Sequence, residues 1–94
     1  MSILSAFAFE RVEVGSKPVG LSPSIFKDAE KAFLTFEGEC RWTYHSEGEP
    51  SSTEGHLMRD GGFIILKGEL QIKNFRAIAT GSETATIQVS YERA

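Results

Sequence analysis

One cysteine and two histidines stand in a chain of 94 residues, and that shortage removes whole classes of structure and chemistry. Cys40 has no partner within the chain, so no internal disulfide can staple the fold. Cys40, His45 and His56 cannot supply four good zinc ligands without carboxylates, which argues against a structural zinc site. Positive charge is also scarce. Ten Lys and Arg against 13 Asp and Glu leave a formal net charge of −3, and the basic residues are scattered singly. Without a basic stripe there is no footprint for phosphate, so no nucleic-acid partner is expected. Long apolar runs are missing too. The opening MSILSAFAFERVEV has no basic residue before its apolar stretch, and Glu10 and Arg11 interrupt it too early for a signal peptide or membrane span. The expectation is a chain with no membrane partner, kept in a reducing aqueous compartment or carried in a particle assembled there.

The length fits one domain, 1–94, with no room for a second. A chain this short buries roughly 60–65% of the surface its unfolded form exposes, so its core is thin. Thin-cored domains lean on disulfides, metals or association. With the first two argued against, oligomerisation or docking on a larger assembly is left.

What is present is period two. Ala85, Ile87, Val89 and Tyr91 alternate with Thr84, Thr86, Gln88 and Ser90, the pattern of a strand with one apolar face. Cys40, Trp42 and Tyr44 alternate with Arg41, Thr43 and His45 in the same way. Ala32 to Glu37, Phe63 to Lys67 and Phe75 to Thr80 are apolar runs of strand length, and Phe7 to Val14 reads as a first strand with blurred alternation. Gly and Pro fall between these runs. About six to eight short strands with regular turn signals predict an all-β fold, a small antiparallel β-sandwich of immunoglobulin-like or jelly-roll-like type. Ser24 to Lys31 reads as an irregular loop with at most one helical turn, and Glu47 to Asp60 as the longest loop. Leu34, Phe36, Trp42, Tyr44, Ile65, Phe75, Ala77, Ile87, Val89 and Tyr91 are expected to be mostly buried between two sheets.

No residue set predicts catalysis. Cys40 and His45 lie at odd spacing on one strand, so they point to opposite faces and do not form a nucleophile pair. Cys40 reads as a small core hydrophobe. Glu47, Glu49, Glu54 and Asp60 share a loop, but their spacing is not that of a calcium loop. A solvated acidic loop is expected, with no metal and no cofactor. His56 either pins the loop through a carbonyl or contacts a partner. Exposed coplanar aromatics, Trp42 and Tyr44 among them, would instead mark a carbohydrate-binding module.

From Val19 onwards a set of short motifs runs in order: VGLS at Val19 to Ser22, FLTFE at Phe33 to Glu37, RWTY at Arg41 to Tyr44 and EPSST at Glu49 to Thr53. GHLM at Gly55 to Met58, FRAI at Phe75 to Ile78 and VSYER at Val89 to Arg93 complete it. In this order and spacing the chain resembles a group of small structural proteins of tailed bacteriophages and prophages. It departs from them at Glu47-Gly48-Glu49-Pro50, where the pattern has Asp-Gly before the Pro turn. Arg41 to Thr53 also resembles a turn of the immunoglobulin-like domain that ends some chitobiases, which implies a sandwich but not sugar chemistry.

The resemblance implies a virion structural protein, placed as a capsid decoration or cement protein on the outside of the major capsid shell. The partners it implies are the major capsid protein or another virion protein, and further copies of the chain in a homo-oligomer. A head–tail connector or tail accessory protein is the alternative within the same class, and a free cellular adaptor domain lies outside it. Residues 1–18 precede the matched motifs and are expected to be an N-terminal arm that lies against a neighbouring copy or the capsid protein, with an edge strand of the chain's own sandwich as the alternative. Ile3, Leu4, Phe7 and Phe9 put large apolar side chains near the start, where burial of each is worth about 1.5–3 kcal/mol. These four, with His56, are the candidate protein-interface residues.

Overall fold

Strict alternation at the end of the chain dictates the central strand. Ala85, Ile87, Val89 and Tyr91 are buried, while the residues between them are not. A strand with one buried face needs a second layer to cover it. The computed structural model, which describes residues 3–81 and 84–94, supplies that layer as a second sheet. The elements run β1 (Ser5–Val14), α1 (Pro23–Phe26), β2 (Lys31–Glu37), β3 (Cys40–Thr43), β4 (His56–Met58), β5 (Phe63–Lys67), α2 (Glu69–Asn74), β6 (Arg76–Ala79) and β7 (Ala85–Arg93). One sheet has the order β1-β7-β2-β5 and the other β4-β3-β6. All pairings are antiparallel, and the result is a small all-β sandwich.

Register sets which side chains meet. In the four-stranded sheet Val12 pairs with Ile87 and Ile87 with Phe36, and Val89 pairs with Leu34 and Leu34 with Ile64. These rows face Cys40, Ala77 and Ala79 of the second sheet in one continuous core. Ile72 of α2 and Phe75 are fully buried with them. The loop after β1 extends the second sheet, because Val19 and Ala77 exchange backbone hydrogen bonds at 2.9 Å in both directions. Gly38 turns the chain from one sheet to the other at φ +99°, where a Cβ would sit 2.9 Å from Ala85 Cβ. Only glycine takes both the left-handed backbone and the close approach.

A carboxylate lies on the inner face. Glu10 pairs with Val89 and is buried, so it needs donors. The Tyr91 hydroxyl donates to Oε1 at 2.7 Å, the Ser22 amide donates to the same oxygen at 3.1 Å, and the Ser22 hydroxyl donates to Oε2. The polar end of the VGLS segment thus fastens the long loop to β1. Burial and the Glu10 carboxylate together push the Tyr91 phenol well above its ordinary value.

Three expected core residues are placed differently. Tyr44 is exposed because β3 ends at Thr43, so the alternation does not carry to it. Ile65 is exposed because β5 is held with Ile64 opposite Leu34 and Leu66 opposite Ala32. That register turns Leu66, fully buried, to the core instead. Trp42 does face inward, stacked on Phe75 at 6.1 Å, but it sits near the end of the sandwich and is only half-buried. The segment Glu47 to Asp60 is not loop throughout, since β4 lies within it and pairs with β3. Helix α2 has no counterpart among the sequence expectations.

Candidate protein-binding face

The alternation that fills the core also determines what the outer face of the four-stranded sheet carries. Because Leu34 and Phe36 point inward, Phe33 points out. Because Val12 and Val14 point inward, Phe9 points out beside Arg11 and Glu13. Pairing brings these residues into rows across the strands. One row runs Phe9, Ser90, Phe33, Ile65, and the next runs Arg11, Gln88, Thr35, Phe63. Phe9 is 61% exposed, Phe63 59%, Ile65 40% and Phe33 36%. The Phe33 and Phe63 rings lean together with centroids 5.6 Å apart. At about 150–250 Å² per aromatic side chain, the three Phe leave roughly 300 Å² of apolar surface in water, with Ile65 beside Phe33. A patch of that size on a small protein is commonly a contact surface.

Charge brackets the patch. On one side lies the row Ala6, Glu92, Lys31, Lys67, and on the other the row Glu13, Thr86, Glu37. Arg11 and Glu13 form an ion pair at 2.9 Å, and the Gln88 side-chain amide donates to Glu37 at 3.5 Å.

The five candidate interface residues do not come together. Ser5–Val14 forms an edge strand of the sandwich, paired with β7 from Ser5 opposite Arg93 to Val14 opposite Ala85. Ser5–Val14 is thus a strand of the chain's own sheet and not the expected arm, because its backbone is paired along β7. Ile3 precedes the strand and is largely exposed, and Leu4 is half-buried. Phe7 falls where the register shifts between Ala6 and Ala8, and the Arg93 guanidinium lies 4.2 Å from its ring centre. Only Phe9 belongs to the outer-face patch. Phe33, Phe63 and Ile65 were not among the expected interface residues. Phe33 was legible, since its neighbours alternate cleanly, whereas Phe63 and Ile65 required the pairing partner of β5.

His56 lies on the other sheet, opposite Trp42 with ring centroids 4.8 Å apart. Among the described residues it makes no hydrogen bond to a carbonyl, so it does not pin the loop. Arg41 does that, donating to Ser52 O at 3.2 Å and Gly55 O at 3.0 Å. Thr43 adds a hydroxyl bond to Gly48 O at 3.0 Å. An open depression of about 540 Å³ lies here, lined by His45, His56, Glu47, Glu49 and Glu54 among others. Its neighbouring aromatics do not form a platform. Tyr44 stands at 79° to Trp42 and at 86° to His56. A sugar ring stacks on coplanar faces, which perpendicular rings do not present. Among the described residues no group of three His, Cys, Asp or Glu side chains is placed to hold a metal ion.

Comparison with family models, with curated proteins and with solved structures finds no match for this chain. Cys40 contributes no reactivity. Burial, with Glu39 beside it, pushes the Cys40 thiol up to about 11, and a fully buried neutral thiol is a poor nucleophile. Among the described residues no helix is long and apolar enough to cross a membrane.

Proposed function

We propose that this domain is a non-enzymatic structural protein that works by binding other proteins, in the setting its motifs resemble, the virion of a tailed phage. Its place there is the outside of the major capsid shell, as a decoration or cement protein. The observation that carries the protein-binding reading is the outer face of the β1-β7-β2-β5 sheet, which exposes Phe9, Phe33, Phe63 and Ile65 in its two middle rows and carries charge in the rows at either end of the strands. Interfaces have that anatomy, with aromatic residues in the middle and charge at the margin. A net charge of −3 also suits a position away from packaged DNA, which repels an acidic domain.

The test is to add purified protein to shells lacking it and to count copies after sedimentation. A copy number on the order of hundreds per particle is expected for a shell protein, repeated over the symmetry-related sites. About a dozen copies would assign it to the neck or tail instead. Phe63→Ser, at an exposed position outside the core, is expected to weaken binding without lowering the melting temperature. No binding to shells, necks or tails would overturn the virion assignment.

A further inference from the structure

The distribution of charge on the outer sheet face says what covers it. Lys31 and Lys67 lie directly opposite each other on neighbouring strands. Like charges so placed repel unless an acid comes between them. Among the described residues neither lysine has a carboxylate at ion-pair distance, and Glu37, three rows away on the same strand as Lys31, has no cation. The row of Lys31 and Lys67 also holds Glu92, opposite Lys31 on the other side, so that end of the face carries two cations and one anion, while the end with Glu37 and Glu13 carries acids alone. The exposed Phe9, Phe33, Phe63 and Ile65 lie in the two rows between.

We propose that this face is covered by the same face of a second copy of the chain, related by a two-fold axis that lies in the plane of the face and runs across the strands between the Phe33 and Thr35 rows. Such an axis reverses the order of rows. It sets Lys31 over Glu37 of the second copy, and the reciprocal contact follows by symmetry. The row holding Phe33 and Ile65 then meets the row holding Thr35 and Phe63, so Ile65 packs on the second copy's Phe63. Phe9 meets Arg11 of the second copy, whose guanidinium suits an aromatic face. Packed sheets stand about 10 Å apart, a gap that a lysine and a glutamate reaching from opposite sides can span. Aligned stacking puts the rows that hold the exposed aromatics in register and sets Glu92 over the uncharged Thr86 of the second copy, so no charge lies directly over one of like sign. A heterologous partner with an apolar strip would satisfy the aromatics equally well. It would not account for charge of opposite sign on the two sides of the strip.

The inference rests on reading this face as the protein-binding surface, and it names the occupant. Four strands at about 4.8 Å spacing make a narrow face. The area buried falls below the roughly 1,600 Å² of a standard stable complex, so the dimer is expected to be weak and concentration-dependent.

Sedimentation velocity from about 10 µM to 1 mM tests the proposal. The wild-type chain is expected to pass from monomer to dimer within this range. Lys31→Glu and Glu37→Lys, each alone, place like charges together twice and are expected to weaken the dimer at least about tenfold. Mixing the two variants, or combining them in one chain, restores opposite charges at both contacts and is expected to restore the dimer. Melting curves confirm that each variant is folded. A wild-type chain still monomeric at the top of the range overturns the proposal, as does a dimer that neither single reversal weakens. Phe63→Ser separates the failures. If the chain never dimerises but Phe63→Ser abolishes binding to shells, the face binds another virion protein and only the second copy is wrong. If Phe63→Ser changes neither association nor shell binding, the protein-binding reading of the face falls with it.

Discussion

Removing one oxygen from Tyr91 is a stringent check on the interior of this fold. Tyr91 is fully buried, and its hydroxyl donates to a carboxylate that lies on the inner sheet face with it. Tyr91→Phe keeps the ring and its packing against Phe26, 6.3 Å away between centroids, and deletes only the donor. Glu10 Oε1 is then left with the Ser22 amide at 3.1 Å as its remaining donor. A hydrogen bond to a charged acceptor contributes about 1.5–3 kcal/mol, and the loss is felt at the upper end when the charge stays buried. The whole domain is worth about 5–14 kcal/mol by its length. A loss of about 2 kcal/mol lowers the melting temperature of a domain this size by about 8–16 °C. Glu10→Gln keeps an acceptor for Tyr91 and removes the charge, so its cost should be smaller. A double-mutant cycle between the two positions should then show a coupling of about 1–2 kcal/mol. Thermal melts followed by circular dichroism, with urea midpoints as a second measure, read all of these values. If Tyr91→Phe melts within about 2 °C of the wild type, the buried carboxylate is not held as described here.

Alkaline pH should weaken the fold through Cys40. Its thiol is raised from 9.0 to about 11 in the folded state, so its contribution is fully present below pH 9 and is lost as pH rises toward 11. By linkage the loss approaches about 2–3 kcal/mol, and Cys40→Ala should flatten stability between pH 9 and 10 in urea melts, above which the raised Tyr91 phenol still weakens the fold. Gly55→Ala should cost about 1–3 kcal/mol, because φ is +118° and a Cβ would stand 3.1 Å from Pro50 Cβ; an unchanged melting temperature would contradict this. Limited proteolysis should cut the segment between β3 and β4 faster in Arg41→Ala than in His56→Ala, since Arg41 holds the loop carbonyls. Equal cleavage rates would reassign the anchor.

Local pattern determined the interior wherever apolar and polar residues alternate without ambiguity. Along β7 each of Ala85, Ile87, Val89 and Tyr91 has a polar neighbour on both sides, and a shift by one residue would bury Thr86, Gln88 and Ser90. Along β2 the same parity assigns Leu34 and Phe36 inward, and with them Phe33 outward. The scarcity of Cys, His and basic residues likewise bore on chemistry before any fold was known. Tertiary structure decided the rest. Phe63 to Leu66 is apolar at every position, so parity says nothing, and only pairing with β2 turns Ile64 and Leu66 in and Phe63 and Ile65 out. In β1 the local sequence favours burying Phe9 over Glu10, yet Val12 and Val14 set the opposite parity. Glu10 is tolerated inside because donors from Ser22 and Tyr91, 12 and 81 residues further along the chain, converge on it. The short strand β4 and the short helix α2 are each too brief to show a period, and each is held by long-range contacts: β4 by its ladder to β3, α2 by the burial of Ile72. The binding face lies on this second side of the division. Its outward aromatics come from three different strands, and only the order β1-β7-β2-β5 gathers them into one surface with basic and acidic margins.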